Sequence, residues 1–308
     1  MAIPTKFKNE VETQASQPFT RVARWYRQSA NAFRQDPRLW FGVVLILYIV
    51  AAIFAPIVSP YSPVLYHPSI ATQGPSLAHL FGTDALGRDQ LSRVIYGTRI
   101  SLSVGVITIL LGGIVGTILG LIAAYFKGWV DQVITMIVDA VLSFPSIVLA
   151  LAIVAAVGPS IINLAIALAF VRIPIYSRIA RGQTLQVAAQ DYIAAAVANG
   201  TRTRKILWRH ILPNIVSPLI VQATISISFA ILDESVLSFL GLGVQPPTPE
   251  WGAMINDAQI YLNSDPWMLF GPALAIILVV LSLNLLGDAI RDRLDPRDRV
   301  QAMAMAQE

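Results

Sequence analysis

The chain has 308 residues, 55% of them hydrophobic and 13% charged, with a mean hydropathy of +0.63. A soluble domain carries about 25% charged residues, so an ordinary soluble fold is excluded; the lack of any cysteine also excludes disulfides, thiolate catalysis and Cys-based metal sites. The net charge of +4 is unevenly distributed and reads as a signal of membrane topology rather than of nucleic-acid binding.

Residues 1–38 form a polar, basic tail with an amphipathic stretch at 19–33 (Val22, Trp25, Tyr26, Phe33). That stretch fits a helix lying on the cytoplasmic leaflet or an ordinary anchoring tail. The first uncharged run, 39–58, is long enough to cross a bilayer, which takes about 20 apolar residues. It lies too late for a signal peptide and lacks a small-residue cleavage site after it. Pro60 and Pro63 then stop the helix.

The loop completing the segment 39–98 contains Phe81-Gly-Thr-Asp-Ala-Leu-Gly-Arg-Asp89. Asp84 and Asp89 offer too few ligands for a cation, so the motif is read as a compact turn leading into a second span at 100–126. Gly105, Gly112, Gly113, Gly116 and Gly120 give that span a small face suited to close helix approach, either within the chain or at a dimer seam. The next apolar run is too long for one crossing and breaks at Gly158-Pro159-Ser160, giving spans at about 132–157 and 161–177. A fifth span is expected at 215–240 and a sixth at 267–287. Between these two, Pro246, Pro247 and Pro249 predict a stiff extended segment, and Trp251 and Trp267 fit an interfacial aromatic belt. A tail, 291–308, completes the chain.

Six spans put both termini inside. Of the 22 lysines and arginines, only Arg88, Arg93 and Arg99 then fall outside, as the positive-inside rule requires. Ionisable residues within spans are candidate functional positions: Asp139, with Ser143 one turn on, and Asp233 and Glu234 in the outer half of the fifth span. Glu234 either faces a water-filled path or pairs with a neighbouring helix or with a partner permease. Arg172 is expected to snorkel toward the inner interface.

The loop 181–214 is too polar for the membrane. Ala188–Ala198 favours a helix, with Asp191 complementing its dipole and Gly200 as its stop. A second helix at about 203–212 has a basic side (Arg204, Lys205, Arg209) and an apolar one (Ile206, Leu207, Ile211), and Pro213 closes it. Two short helices with smooth alanine faces suit docking into a partner's groove or lying on lipid headgroups.

Asp191-Tyr-Ile-Ala-Ala-Ala-Val-Ala-Asn-Gly200 followed by Arg209-His-Ile-Leu-Pro-Asn214 resembles the signature loop of ABC importer permeases: Glu-Ala-Ala, three residues, Gly, nine residues, Ile, one residue, Leu-Pro. Ala195, Ala196, Gly200, Leu212 and Pro213 match in register, whereas Ala194 replaces Glu and His210 replaces Ile. Phe81–Asp89, Arg99–Gly105, Ser143-Phe-Pro145, Arg181-Gly-Gln-Thr184, Leu237–Gly243, Pro249-Glu-Trp-Gly252 and Asn284–Asp288 through Asp295-Pro296 are similar to the C-type permease of dipeptide, oligopeptide and nickel importers. The resemblance spans almost the whole chain.

It implies an all-α polytopic protein of the bacterial inner membrane with the type I ABC importer permease fold, its core at 99–290. It also implies no catalysis by this chain and a second, different permease as partner. Two cytoplasmic ATPases would hold ATP and Mg, and an extracytoplasmic binding protein would deliver di- or oligopeptides, glutathione or a metal chelate. The absence of a Gly-rich Lys-Ser/Thr phosphate loop agrees with this division. A secondary transporter would show inverted repeats and midplane charges, and none are evident. His67, His79 and His210 fall on opposite sides, so no His-metal or Ser-His constellation supports a membrane enzyme.

Overall fold

The computed structural model describes residues 37–294. The amphipathic stretch 19–33, Asp295-Pro296 and most of both tails lie outside the described residues. The described chain is almost entirely helical: α1 (Leu39–Ile53), α2 (Gln90–Phe126), α3 (Gly128–Leu142), α4 (Ser146–Val157), α5 (Ile161–Ala188), α6 (Asp191–Ala198), α7 (Thr203–Phe239), α8 (Trp251–Gln259) and α9 (Trp267–Leu294). Four of these, α2, α5, α7 and α9, are each long and apolar enough to cross a membrane. Helices α3 and α4 qualify together but bend by 88° at the junction. The 15 residues of α1 span about 22 Å, short of the roughly 30 Å hydrocarbon core.

The bend corrects the expected continuous span at 132–157. Pro145 has no N–H to continue α3, and its ring disfavours helical backbone at Phe144. It becomes instead the residue preceding α4. The expected break after Val157 is present: Gly158 takes φ +99° and the Ser160 side chain accepts from Asn163 N–H at 3.1 Å, capping α5.

Two helices outrun their predicted spans. The Asp89 carboxylate caps α2 through Ser92 N–H at 2.8 Å, so α2 begins ten residues earlier than the hydropathy suggested and runs for 37 residues. Helix α5 continues past Ser177 to Ala188, because the arginines ending its apolar run have acidic partners on α3.

The glycines of α2 pack within the chain. Gly112 lies against Ala169 and Arg172, Gly116 against Ile173 and Tyr176, and Gly120 against Ser177, Ala180 and Arg181. The register rises in step, so α2 and α5 run parallel. A Cβ on Gly112 would come within 2.7 Å of Ala169 O, and one on Gly120 within 2.8 Å of Ala180 Cβ, which is the close approach small residues permit. This resolves the alternatives at Gly112 and Gly116 in favour of packing inside the subunit.

The segment 241–266 is extended only in part. It turns at the cis Pro246–Pro247 bond and then forms α8, whose N-terminal Gly252 and Ala253 N–H groups donate to the Glu250 carboxylate at 2.7 and 2.9 Å. Trp251 is fully buried rather than in a lipid-facing belt. Its indole packs on Gly97, meets Tyr48 edge-on and donates to Val94 O at 3.1 Å.

Candidate coupling loop and translocation face

Helix α6 follows α5 after a two-residue turn and stands out from the bundle. Only Ile193 is buried, packed with Ile206, Ile211 and Ile215. Asp191, Ala194, Ala195, Val197 and Ala198 are exposed, and Ala196 is half-buried. At its end Gly200 N–H donates to Val197 O (2.9 Å) and Thr201 N–H to Ala196 O (3.0 Å), with Gly200 at φ +71°. This is a Schellman stop, in which the left-handed position favours glycine. The loop therefore offers a convex, mostly small-residue surface on a single hydrophobic anchor.

Pro213 does not close a second helix. Helix α7 runs through it, with π-helical geometry over Ile206–Ile211. The wider turn accommodates a proline that cannot donate, and Asn214 Nδ2 donates to the His210 carbonyl at 2.6 Å. Asn214 also donates to the Tyr192 hydroxyl at 3.3 Å, tying α7 to α6. Arg204 and Arg209 are exposed, His210 and Leu212 half-buried and Pro213 exposed. The expected loop residues are thus brought together at one end of the bundle.

The other expected positions separate. Glu234 is completely buried on α7 beside Glu250, the residue capping α8, and its carboxylate accepts from Ser235 Oγ at 3.3 Å. Asp233 pairs with Arg172 of α5, whose guanidinium also lies 5.9 Å from the Phe229 ring. Arg172 is therefore held by a half-buried partner on α7 rather than reaching out along the helix.

Asp139 and Ser143 are exposed. Asp139 Oδ1 accepts from Arg178 Nη2 at 2.7 Å. One level away, Asp131 accepts a fork from Arg181 Nε and Nη2, both at 2.6 Å. Arg178 and Arg181 carried no site role in the sequence reading. Their signal was the recurrence of Asp131, Thr135, Asp139 and Ser143 every fourth residue along one face of an apolar helix.

At the opposite end, the Phe81–Asp89 motif is the compact turn expected. Asp84 Oδ1 accepts from Leu86 and Arg88 N–H, both at 2.9 Å, and Oδ2 accepts from Arg88 Nε at 2.6 Å. Asp89 meets His79 Nδ1 at 2.8 Å. No group of three or more potential metal ligands occurs among the described residues.

A family model described as "binding-protein-dependent transport system inner membrane component" matches residues 116–300. The chain belongs to that family. It is 44% identical over 280 residues to the dipeptide transport system permease protein DppC of Alkalihalophilus pseudofirmus, covering 91% of this chain and 92% of the relative. It is 46% identical over 274 residues to the glutathione transport system permease protein GsiD of Escherichia coli O6:K15:H31, covering 89% and 90%. In fold, the permease is similar to a chain of the inward-facing MetNI methionine ABC transporter, with a TM-score of 0.55 at 16% identity, covering 66% of this chain and 96% of that one. It is thus a multi-pass inner-membrane permease component, α-helical throughout its described spans.

Proposed function

We propose that this permease forms half of the pathway of an ATP-driven importer for di- and oligopeptides. In this reading it crosses the membrane six times, with α1 and the Ala55–Val58 turn as the first crossing and both termini cytoplasmic. A second, different permease completes the pathway. The chain performs no catalysis; ATP and Mg reside in two cytoplasmic ATPase subunits, and a binding protein delivers the peptide at the α8 end.

The observation that carries the proposal is α6, an exposed small-residue helix with Ile193 as its one buried side chain, stopped at Gly200. Such an element gains stability when a partner groove covers it. Closure of the ATPase pair would move α6 and the helices flanking it, exposing the pathway to alternate sides. Ala194, in place of the family's Glu, removes one polar contact from that junction. Similarity to the glutathione permease GsiD supports a second substrate reading, glutathione, within the same mechanism.

The test is reconstitution of the complete transporter in proteoliposomes, with ATP hydrolysis and uptake of labelled dipeptide and glutathione measured in parallel. Stimulation of hydrolysis by the loaded binding protein, with dipeptide accumulation, is expected. Glutathione uptake without dipeptide uptake selects the second reading, and hydrolysis indifferent to the binding protein refutes both.

A further inference from the structure

The α3–α5 strip presents an exposed ion pair where lipid would be a costly neighbour. Helix α3 leaves the end of α2 at Gly128 and runs back along α5, with Val138 and Val141 beside Ile173 and Pro174. Asp139 is therefore eleven residues into α3 and seven into the span expected from 132, about 10 Å along the helix, inside the inner third of a hydrocarbon core of about 30 Å. At that depth the Asp139 and Arg178 side chains are 51% and 60% exposed. A charged pair facing acyl chains within a span is costly, so such groups face water or protein.

The two ion pairs of the strip are built differently. Arg181 holds Asp131 with both prongs of its fork, and those side chains are 36% and 20% exposed; this pair fastens α3 to α5. Arg178 makes a single contact through Nη2 to one oxygen of Asp139. Such an open, one-point bridge is weakly held, and each partner keeps hydrogen-bonding capacity to spare. Around it, Met136 and Phe144 are exposed apolar surface, and Ser143 turns its hydroxyl back to Ala140 O at 2.7 Å. The strip thus joins one cation, one anion and an adaptable apolar flank.

We infer that Asp139 and Arg178 form a substrate subsite on the wall of the pathway, where the ion pair opens to take the two charged ends of a short peptide. Asp139 receives the α-ammonium and Arg178 the α-carboxylate, while Met136 and Phe144 bear against side chains of varied shape. A zwitterion replaces the internal pair charge for charge, so net charge in the pathway is unchanged as it passes. A peptide blocked at one end leaves one member of the pair without its counter-charge. The inference rests on the peptide-importer reading and adds to it a pair of discriminating residues.

Two measurements on the complete transporter test this. First, because the chain has no cysteine, Ala140→Cys places one thiol on exposed surface beside Asp139. Its modification by impermeant thiosulfonates, one anionic and one cationic, is followed as a mass shift of this chain. Reaction with both is expected, with Asp139→Asn favouring the anionic reagent and Arg178→Gln the cationic one. A thiol that stays unreactive in the assembled complex means lipid or the partner permease covers the strip, and overturns the subsite.

Second, uptake of a free dipeptide is compared with its N-acetylated and C-amidated forms. The binding protein is common to all variants, so its own preference cancels. Loss of one charge-assisted contact predicts a roughly tenfold to hundredfold rise in the acetylated-to-free ratio for Asp139→Asn and in the amidated-to-free ratio for Arg178→Gln. Unchanged ratios overturn the assignment even if overall uptake falls. Absence of dipeptide uptake by the unmutated complex defeats the peptide reading and this substrate with it; normal uptake with an unreactive thiol defeats the subsite alone.

Discussion

Replacing Gly200 separates backbone geometry from surface contact at the proposed coupling loop. A Cβ on Gly200 would meet nothing within 4 Å, yet the residue sits at φ +71°. The cost of a side chain is therefore conformational, about 1–2 kcal/mol for an ordinary L-residue, larger for a β-branched one and small for asparagine. Opposing it are burial of Ile193, worth about 1.5–3 kcal/mol, and two stop hydrogen bonds of about 1 kcal/mol each. Gly200→Ala should thus leave α6 docked on the bundle but distort its exit, and Gly200→Val should unravel its last turn. Since 1–2 kcal/mol is a factor of about 5–30 in population, binding-protein-stimulated ATP hydrolysis in proteoliposomes is expected to fall by up to about that factor in Gly200→Ala and further in Gly200→Val. Gly200→Asn should remain near the unmutated rate. A fully active Gly200→Val variant would falsify the docking assignment, and equal losses for Ala and Asn would show that bulk, not backbone, is what the partner reads.

Other substitutions probe the scaffold. Gly116→Ala drives a methyl to 2.7 Å from Tyr176 Cβ and should cost about 1–3 kcal/mol, lowering Tm in detergent, whereas Gly113→Ala, with nothing nearer than 3.4 Å, should leave Tm unmoved. Ile193→Ala should cost about 2–5 kcal/mol locally, read as faster hydrogen exchange confined to α6. Glu234→Gln places a neutral amide beside Glu250 and should be tolerated; Glu250→Ala removes the α8 cap, at about 1 kcal/mol for the cap alone, and should reduce expression and Tm. Partial desolvation holds the half-exposed Asp257 carboxyl above its ordinary pKa despite Arg93 and Arg88 nearby. Its protonated form therefore favours the folded state below about pH 3.9, and that advantage is lost as pH rises through the raised folded value. Asp257→Asn should accordingly slow α8 hydrogen exchange at neutral pH and change little in acid.

The membrane class and the loop were legible because their signals are local. Uncharged runs, Gly200 after an alanine helix and Gly158-Pro159-Ser160 before α5 each act within a turn or two of chain. The partners of charged residues were not legible, since Arg172 and Asp233 are separated by 61 residues and Arg181 and Asp131 by 50. No local rule tells a snorkelling arginine from a paired one. Trp251 misled for a similar reason: its polar, proline-flanked context resembles an interface, but the space at Gly97 that accepts the indole lies on a helix far upstream. Pro213 marked an irregularity correctly, but the sequence did not reveal that a π-turn would absorb it.

The interlock of Gly112, Gly116 and Gly120 with the backbone of α5 limits how this permease can move. Ridges seated that closely cannot slide by a fraction of a turn; they disengage or advance by a whole turn of about 5.4 Å. Helices α2 and α5 are therefore obliged to travel as one rigid beam. As α5 leads into α6 through two residues and α2 extends for about 55 Å, a displacement of α6 that tilts the beam reaches the Phe81–Asp89 turn with its direction preserved.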